Sequence, residues 1–436
     1  MLRKLRNIAG VLVMILGNLL WLSLSAKIQV NIFGFLNDQD SLSRHTSSII
    51  DCLLQEQDLQ LNLLSTKPGA AQDLSPGCAA VYQRAAMLCN KKQIAMYAGK
   101  RNLLSGMVIY ADPECRDLAQ FAPLLSHNTI RIASVVTETT DVPSERVAEI
   151  NAHCDALMVP DAWLVAIYKQ AGITCPIFTL PLALDLTSLL ARPIKKRRNS
   201  IFTFGFSGMF LRTGRKNHEG LMQAFAEEYG GNEALVLKLH GKSGGMFEAI
   251  LASFNQLKTS NISLECRGFE RQAYEDFLAS LDCYVTVSKG EGFSIIPREV
   301  LALGISCILA NNTAQTTICN SGCVRPIVSD ILEPAPMRVG YWFNTDPREI
   351  RAALRDVYEH YDYYFEQAAK GREWVKQYQA KNLAAKYRSL VAPRFVVLGD
   401  HNEINDHFIM MDSEKLFEKY KRVCKSQPTR FYTVCR

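Results

Sequence analysis

Short apolar runs rich in β-branched and aromatic residues alternate along this chain with segments whose apolar residues return every three or four positions. In the first half, Ile28–Gly34, Met107–Ala111, Ile130–Val136 and Ala156–Pro160 read as buried strands, with a helix at Ser43–Leu54. In the second half the strands are Ser200–Ser207, Leu235–Lys242, Ile262–Phe269, Asp282–Val287 and Cys307–Leu309. Helical spacing falls between them at Asn217–Phe225, Gln272–Leu281 and Pro297–Leu303, the last closed by Gly304. Strand and helix in turn predict an α/β fold with parallel, doubly wound sheets. Two longer helical patterns, Pro347–Val357 and Glu359–Leu390, carry aromatic stripes suited to bracing a domain.

One junction in this pattern carries chemistry. Glu291 lies just past the strand Asp282–Val287, and Glu299 falls in the first turn of the helix that Pro297 begins, eight positions later. The amides of Ser294, Ile295 and Ile296, with the positive end of that helix, predict an anion at this rim. Upstream, the strand Ser200–Ser207 leads to Arg212, Arg215 and Lys216, three cations just before the next helix. A second polar loop, Ala310–Thr317, reaches the same rim and offers Thr313.

The stretch Glu291-Gly292-Phe293-Ser294-x4-Glu299 resembles the Glu-x-Phe-Gly-x4-Glu donor signature of the retaining GT-B glycosyltransferases, the glycosyltransferase family 4-like group. Ser294 stands where that pattern has glycine. The resemblance implies two Rossmann-like domains with a cleft between them and a hexose moved from a nucleotide sugar to a glycan or lipid-linked acceptor. It implies that Lys216 and Arg212 hold the diphosphate, with Arg215 competing for the arginine role. Glu299 would bind the donor ribose and Glu291 the donor sugar, with Gly292, Phe293, Ser294, Ile295, Ile296 and Thr313 around them. The segments Thr137–Pro143 and Asp155–Trp163 resemble the family's acceptor-side domain and offer Glu138 at a strand's carboxyl end; His127 is a second acceptor-side candidate. Neither a metal nor another cofactor is expected in this family. Two alternatives keep the fold: a membrane-tethered binding protein without catalysis, and a sugar-nucleotide epimerase or phosphorylase.

The implied layout is a hydrophobic segment at 1–27, an acceptor domain at 28–183, a solvated basic linker at 184–198, a donor domain at 199–375 and a crossover helix with extension at 376–436. A length of 436 residues suits two domains. The net charge of +6 is mild and no nucleic-acid motif accompanies it, so a nucleic-acid partner is not expected. Residues 8–26 carry no charge and follow Arg3, Lys4 and Arg6, which predicts membrane association by an anchor or a signal-like segment. The cytosolic supply of nucleotide sugars favours the cytoplasmic face, against the positive-inside tendency of those three residues. Thirteen cysteines without regular spacing read as reduced, and the acidic and histidine residues near 401–412 as a polar tail.

Overall fold

The computed structural model describes residues 27–391 except 37–40, 68–73, 101–102, 113–114, 116, 128, 196, 212–213, 246 and 337, together with the short strands 395–397 and 408–410. The first sheet contains β1 (Ile28–Gly34), β2 (Leu59–Ser65), β3 (Ala86–Met87), β4 (Met107–Tyr110), β5 (Ile130–Ser134), β6 (Ala156–Val159) and β7 (Ile177–Thr179), ordered β3-β2-β1-β4-β5-β6-β7. Every pairing is parallel. Both faces of the sheet are covered. On β1, Val30 and Ile32 enter one apolar cluster while Phe33 enters the other, so the strand contributes to the core on both faces.

The second sheet takes β8 (Phe202–Ser207), β10 (Leu235–Gly241), β12 (Ile262–Cys266), β13 (Cys283–Thr286), β14 (Ser306–Asn311) and β15 (Arg325–Val328), in the order β12-β10-β8-β13-β14-β15. Its pairings are parallel too. Two small pairs attach to this half: β9 (Phe210–Leu211) with β11 (Ser243–Gly244), and the hairpin of β16 (Ile331–Pro334) with β17 (Tyr341–Asn344).

The pattern missed β2 because it has leucines where β1 has β-branched and aromatic residues; Gln60 and Asn62 interrupt it just as Gln29 and Asn31 interrupt β1. In the sheet they answer matching polar residues on β1: Gln29 donates to Gln60 at 2.9 Å and Asn62 to Asn31 at 2.9 Å. The expected helix Glu359–Leu390 is three pieces, Tyr361–Trp374, the 3-10 turn Val375–Tyr378 and Ala380–Val391. The last piece crosses back and buries Leu383, Tyr387, Leu390 and Val391 in the core of the first sheet, where the Tyr387 hydroxyl donates to the Pro181 carbonyl at 3.1 Å. The crossover brace is present.

In the basic stretch at 184–198, Arg197 and Arg198 are exposed while other positions pack. Leu186 and Leu189 are buried, and Lys195 pairs at 2.8 Å with the fully buried Asp282 of the second half. The expected membrane segment at 8–26 and the acidic tail near 401–412 lie outside the described residues. Among the described residues no helix is long and apolar enough to cross a membrane, and no cluster of histidine, cysteine and acidic residues could hold a metal ion. Eleven described cysteines are free thiols, nine of them buried.

Candidate functional site

At the carboxyl ends of the two sheets one arginine reaches carboxylates of both halves. Arg215 and Lys216 stand before the helix His218–Tyr229, and their backbone is tied to the β13 loop by the Lys289 amide donating to the Arg215 carbonyl at 2.9 Å. That tie brings Arg215 Nη1 to 3.1 Å and Lys216 Nζ to 2.5 Å from one and the same oxygen, Oε1 of Glu291. The other end of the guanidinium crosses to the first half of the molecule. Arg215 Nη2 lies 2.8 Å from Oε1 of Glu138, which follows β5. The Arg215 side chain is 8% exposed and that of Glu291 10%, so this Glu138–Arg215–Glu291–Lys216 chain is shielded from bulk solvent.

Burial by itself would raise the Glu291 carboxyl, but the charges of Lys216 and Arg215 outweigh it and hold the group down at about 2. Glu291 is therefore ionised at neutral pH. Burial pushes the Lys216 ammonium down, against the pull of Glu291. It also opposes the Arg215 charge, yet Glu138 and Glu291 together raise that group above its ordinary value. Burial and the two neighbouring cations lower His218 to about 3, so its ring is neutral between Phe206 and Phe210.

Close approach of the two halves depends on small residues. A Cβ on Gly290 would stand 2.1 Å from the Glu138 carbonyl oxygen, a distance no side chain tolerates. The β16–β17 hairpin supports the same first-half segment: the Thr140 amide donates to the Tyr341 carbonyl at 3.1 Å, and the Tyr341 amide to the Thr140 hydroxyl at 2.9 Å.

The motif helix spans Ile295–Ala302, two residues earlier than Pro297 suggested. Proline fits there because the first-turn amides of a helix have no intrahelical acceptor to lose. Ser294 precedes the helix with φ 60°, in the left-handed region that glycine adopts most freely. Thr313 (φ 45°) and Asn217 (φ 55°), which borders Lys216, are left-handed too. Thr313 accepts from the Glu291 amide at 2.9 Å through its hydroxyl and so positions the carboxylate's own backbone. Phe293 is buried, and Gly292 packs against Val136 of the first half. Ile295 and Ile296 are half-buried in the cluster behind the helix.

Glu299 is fully buried, and its partners were not foreseen from sequence. Arg44, on the helix Ser41–Leu53 after β1, reaches across to place Nη2 at 2.5 Å from Oε1; the Tyr274 hydroxyl donates to Oε2 at 2.8 Å, and Arg271 Nη1 lies 3.8 Å from Oε1. Arg298 was missed as well. It is fully buried, donates through Nη1 to the carbonyls of Phe293 and of Ser294, the latter at 3.1 Å, and stacks on Phe293 with 3.9 Å from its guanidinium carbon to the ring centre. Its signal was available: an arginine inside an otherwise apolar helix needs a reason to be buried.

The structure therefore gathers Glu138, Arg215, Lys216, Glu291 and Thr313 at one place, with Ser294 at the head of the adjoining helix. It does not bring His127 there. His127 is exposed and precedes β5, so it stands at the amino edge of the sheet while Glu138 follows the carboxyl edge, about 17 Å away for a five-residue strand. Arg212 lies outside the described residues; among those described, Arg215 is the arginine that meets Glu291.

No protein-family model and no curated protein sequence matches this chain. Solved structures do. HepE of Anabaena, in complex with UDP and glucose, superposes with a TM-score of 0.61 at 9% identity, over 84% of this chain and 99% of that one. Sucrose-phosphate synthase from Thermosynechococcus elongatus gives 0.62 at 13% identity, over 84% and 100%. The lipopolysaccharide outer core galactosyltransferase WaaB gives 0.57 at 11% identity, over 84% and 99%. Likeness at this level of identity concerns the fold: two Rossmann-like domains with parallel sheets of seven and six strands, as in GT-B glycosyltransferases.

Proposed function

We propose that this protein is a retaining glycosyltransferase that moves a hexose from a nucleotide-sugar donor to a glycan or lipid-linked acceptor. The single observation that carries the reading is the Glu138–Arg215–Glu291–Lys216 chain, buried at Arg215 and Glu291 and half-buried at its ends, where the carboxyl ends of the two sheets face each other. Ligands of doubly wound sheets bind at that rim. HepE has been solved with UDP and with UDP-glucose, which supports a nucleotide sugar as donor here.

The chemistry follows from charge. When the sugar–phosphate bond breaks, negative charge grows on the departing diphosphate, and fixed cations in a site shielded from water stabilise it without reorganising. Lys216 and Arg215 hold those charges ready, and the first-turn amides at Ile295 and Ile296 add the positive end of a helix. Glu291, ionised and held on Oε1 by both cations, accepts hydroxyl hydrogens of the donor sugar; carrying no proton at neutral pH, it is no acid. The departing phosphate takes the acceptor's proton. Because side-chain cations already meet the diphosphate, the reaction should survive a chelating agent. We further propose that residues 8–26 hold the protein at a membrane, at its cytoplasmic face; removing 1–26 should move it to the soluble fraction with nucleotide binding unchanged.

The test is calorimetry with UDP, GDP and ADP. One of them should bind, with affinity lost in Glu299→Gln and kept in Glu291→Gln. Binding of none would overturn the reading, and equal loss in both variants would overturn the division of roles.

A further inference from the structure

Away from the charged chain, the first domain holds a cavity of about 180 Å³ at the carboxyl ends of β1, β2 and β4. Strand order reverses between β1 and β4, and such switch points are where open α/β sheets take their ligands. The volume falls below the ~300–1,000 Å³ of sites that take drug-sized molecules, so it accommodates one ring rather than a chain of them.

Its lining has two characters. Phe33, Tyr110 and Phe121 form an aromatic wall, with centroids 5.4 Å apart for Phe33–Tyr110 and 4.6 Å for Phe33–Phe121. The lining also holds Asp117 and Gln120, which offer a carboxylate and an amide to hydroxyls. The buried Thr66 hydroxyl, also in the lining, has no hydrogen-bond partner among the described residues. Buried polar groups are nearly always satisfied, so this one calls for a ligand or water. Among the described lining residues the one cation, Lys67, sits over the Phe35 ring at 4.2 Å. Among the described lining residues the carboxylates outnumber the ammonium, which disfavours an anion.

Building on the transferase reading above, we propose that this cavity binds a neutral sugar ring of the acceptor. Its hydroxyls reach Asp117, Gln120 and Thr66, and the packed rings of Phe33, Tyr110 and Phe121, each at most 5% exposed, close the cavity behind it. β5, whose continuation carries Glu138, lies two strand spacings, ~10 Å, from β1, so a glycan seated here has to extend at least that far to approach the charged chain. Phosphorylated sugars and uronic acids should be refused.

Cys89 lines the cavity as a free, partly exposed thiol, and Cys266, in the other domain, is its control. The experiment alkylates the full chain with iodoacetamide alone, with methyl glycosides of glucose, galactose, mannose and N-acetylglucosamine, and with glucose 6-phosphate, and maps both cysteines by mass spectrometry. At least one neutral glycoside should slow modification of Cys89 several-fold and leave Cys266 unchanged. The protection should vanish in Asp117→Ala and Gln120→Ala, whose nucleoside diphosphate affinity stays at the wild-type value. Saturation-transfer NMR with the same glycosides gives a second reading independent of the thiol. Absence of both protection and saturation transfer in a protein that binds a nucleoside diphosphate overturns the cavity's role and spares the transferase reading. Preference for glucose 6-phosphate overturns the charge argument. Glycoside protection in a protein that binds no nucleotide keeps the sugar site but removes its acceptor role.

Discussion

Arg215 pairs with carboxylates from both halves of the molecule, and each contact was legible to a different degree. Glu291 and Lys216 are marked by spacing, because a carboxylate past a strand and a cation before a helix are local features. Glu138 is marked only by its place after β5. Its partner could not be read, since the pairing depends on how two separately folded sheets sit together. If Lys216 stabilises the leaving diphosphate, Lys216→Ala should lower turnover about 10²–10³-fold, the scale for losing one such donor, in a steady-state assay of a protein that still melts cooperatively. The depressed Glu291 carboxyl has a consequence for acid stability. It ordinarily titrates near 4.5 and is held near 2, so its stabilising effect is complete above about 4.5 and is lost as pH falls through about 2. Urea midpoints of wild type and Glu291→Gln should converge over that interval; a constant gap would contradict it. Ser294, left-handed at φ 60°, should accept glycine with a change within about 1 kcal/mol, while Ser294→Val should destabilise by more, as a β-branched residue fits that region poorly.

Among the elements, the helix Ile295–Ala302 shows what periodicity conveys and what it omits. Its apolar face, its proline and the left-handed Gly304 after it located the helix to within two residues. The clamp at its head was not conveyed. Arg298 is held by aromatic residues from the crossover region, with Tyr378 at 4.7 Å, and these lie far away in sequence. Its Nη2 is 3.9 Å from Asp161 of the first half, which caps the helix Ala162–Gln170. Arg298→Met would remove the bonds to Phe293 and Ser294 and leave Asp161 buried without its cation. We expect a loss of about 3 kcal/mol or more by chemical denaturation, as for other broken buried pairs. The brace permits a finer test. Tyr387→Phe should cost about 1 kcal/mol for the hydrogen bond to Pro181, and Tyr387→Ala about 3–5 kcal/mol through the cavity it leaves.

For the molecule as a whole, two parallel α/β domains and a crossover helix were readable because each domain repeats one simple pattern. The contacts between domains were not, for a physical reason: Arg44 and Glu299 are 255 residues apart and nothing local in either segment requires the other. Gly290 packs directly on the backbone of the first domain. Gly290→Ala would force a side chain onto the Glu138 backbone, so the domains should separate while each stays folded. Small-angle scattering should show a larger radius of gyration, with transfer lost and far-ultraviolet circular dichroism unchanged. The most direct test of transferase chemistry is a time course by NMR with the nucleotide sugar whose diphosphate binds, following the donor and the configuration at its C1. Consumption of the donor that requires Lys216 and Glu291, with C1 configuration retained in the product, is the expected result; a donor that binds and is never consumed, or a product inverted at C1, would contradict it.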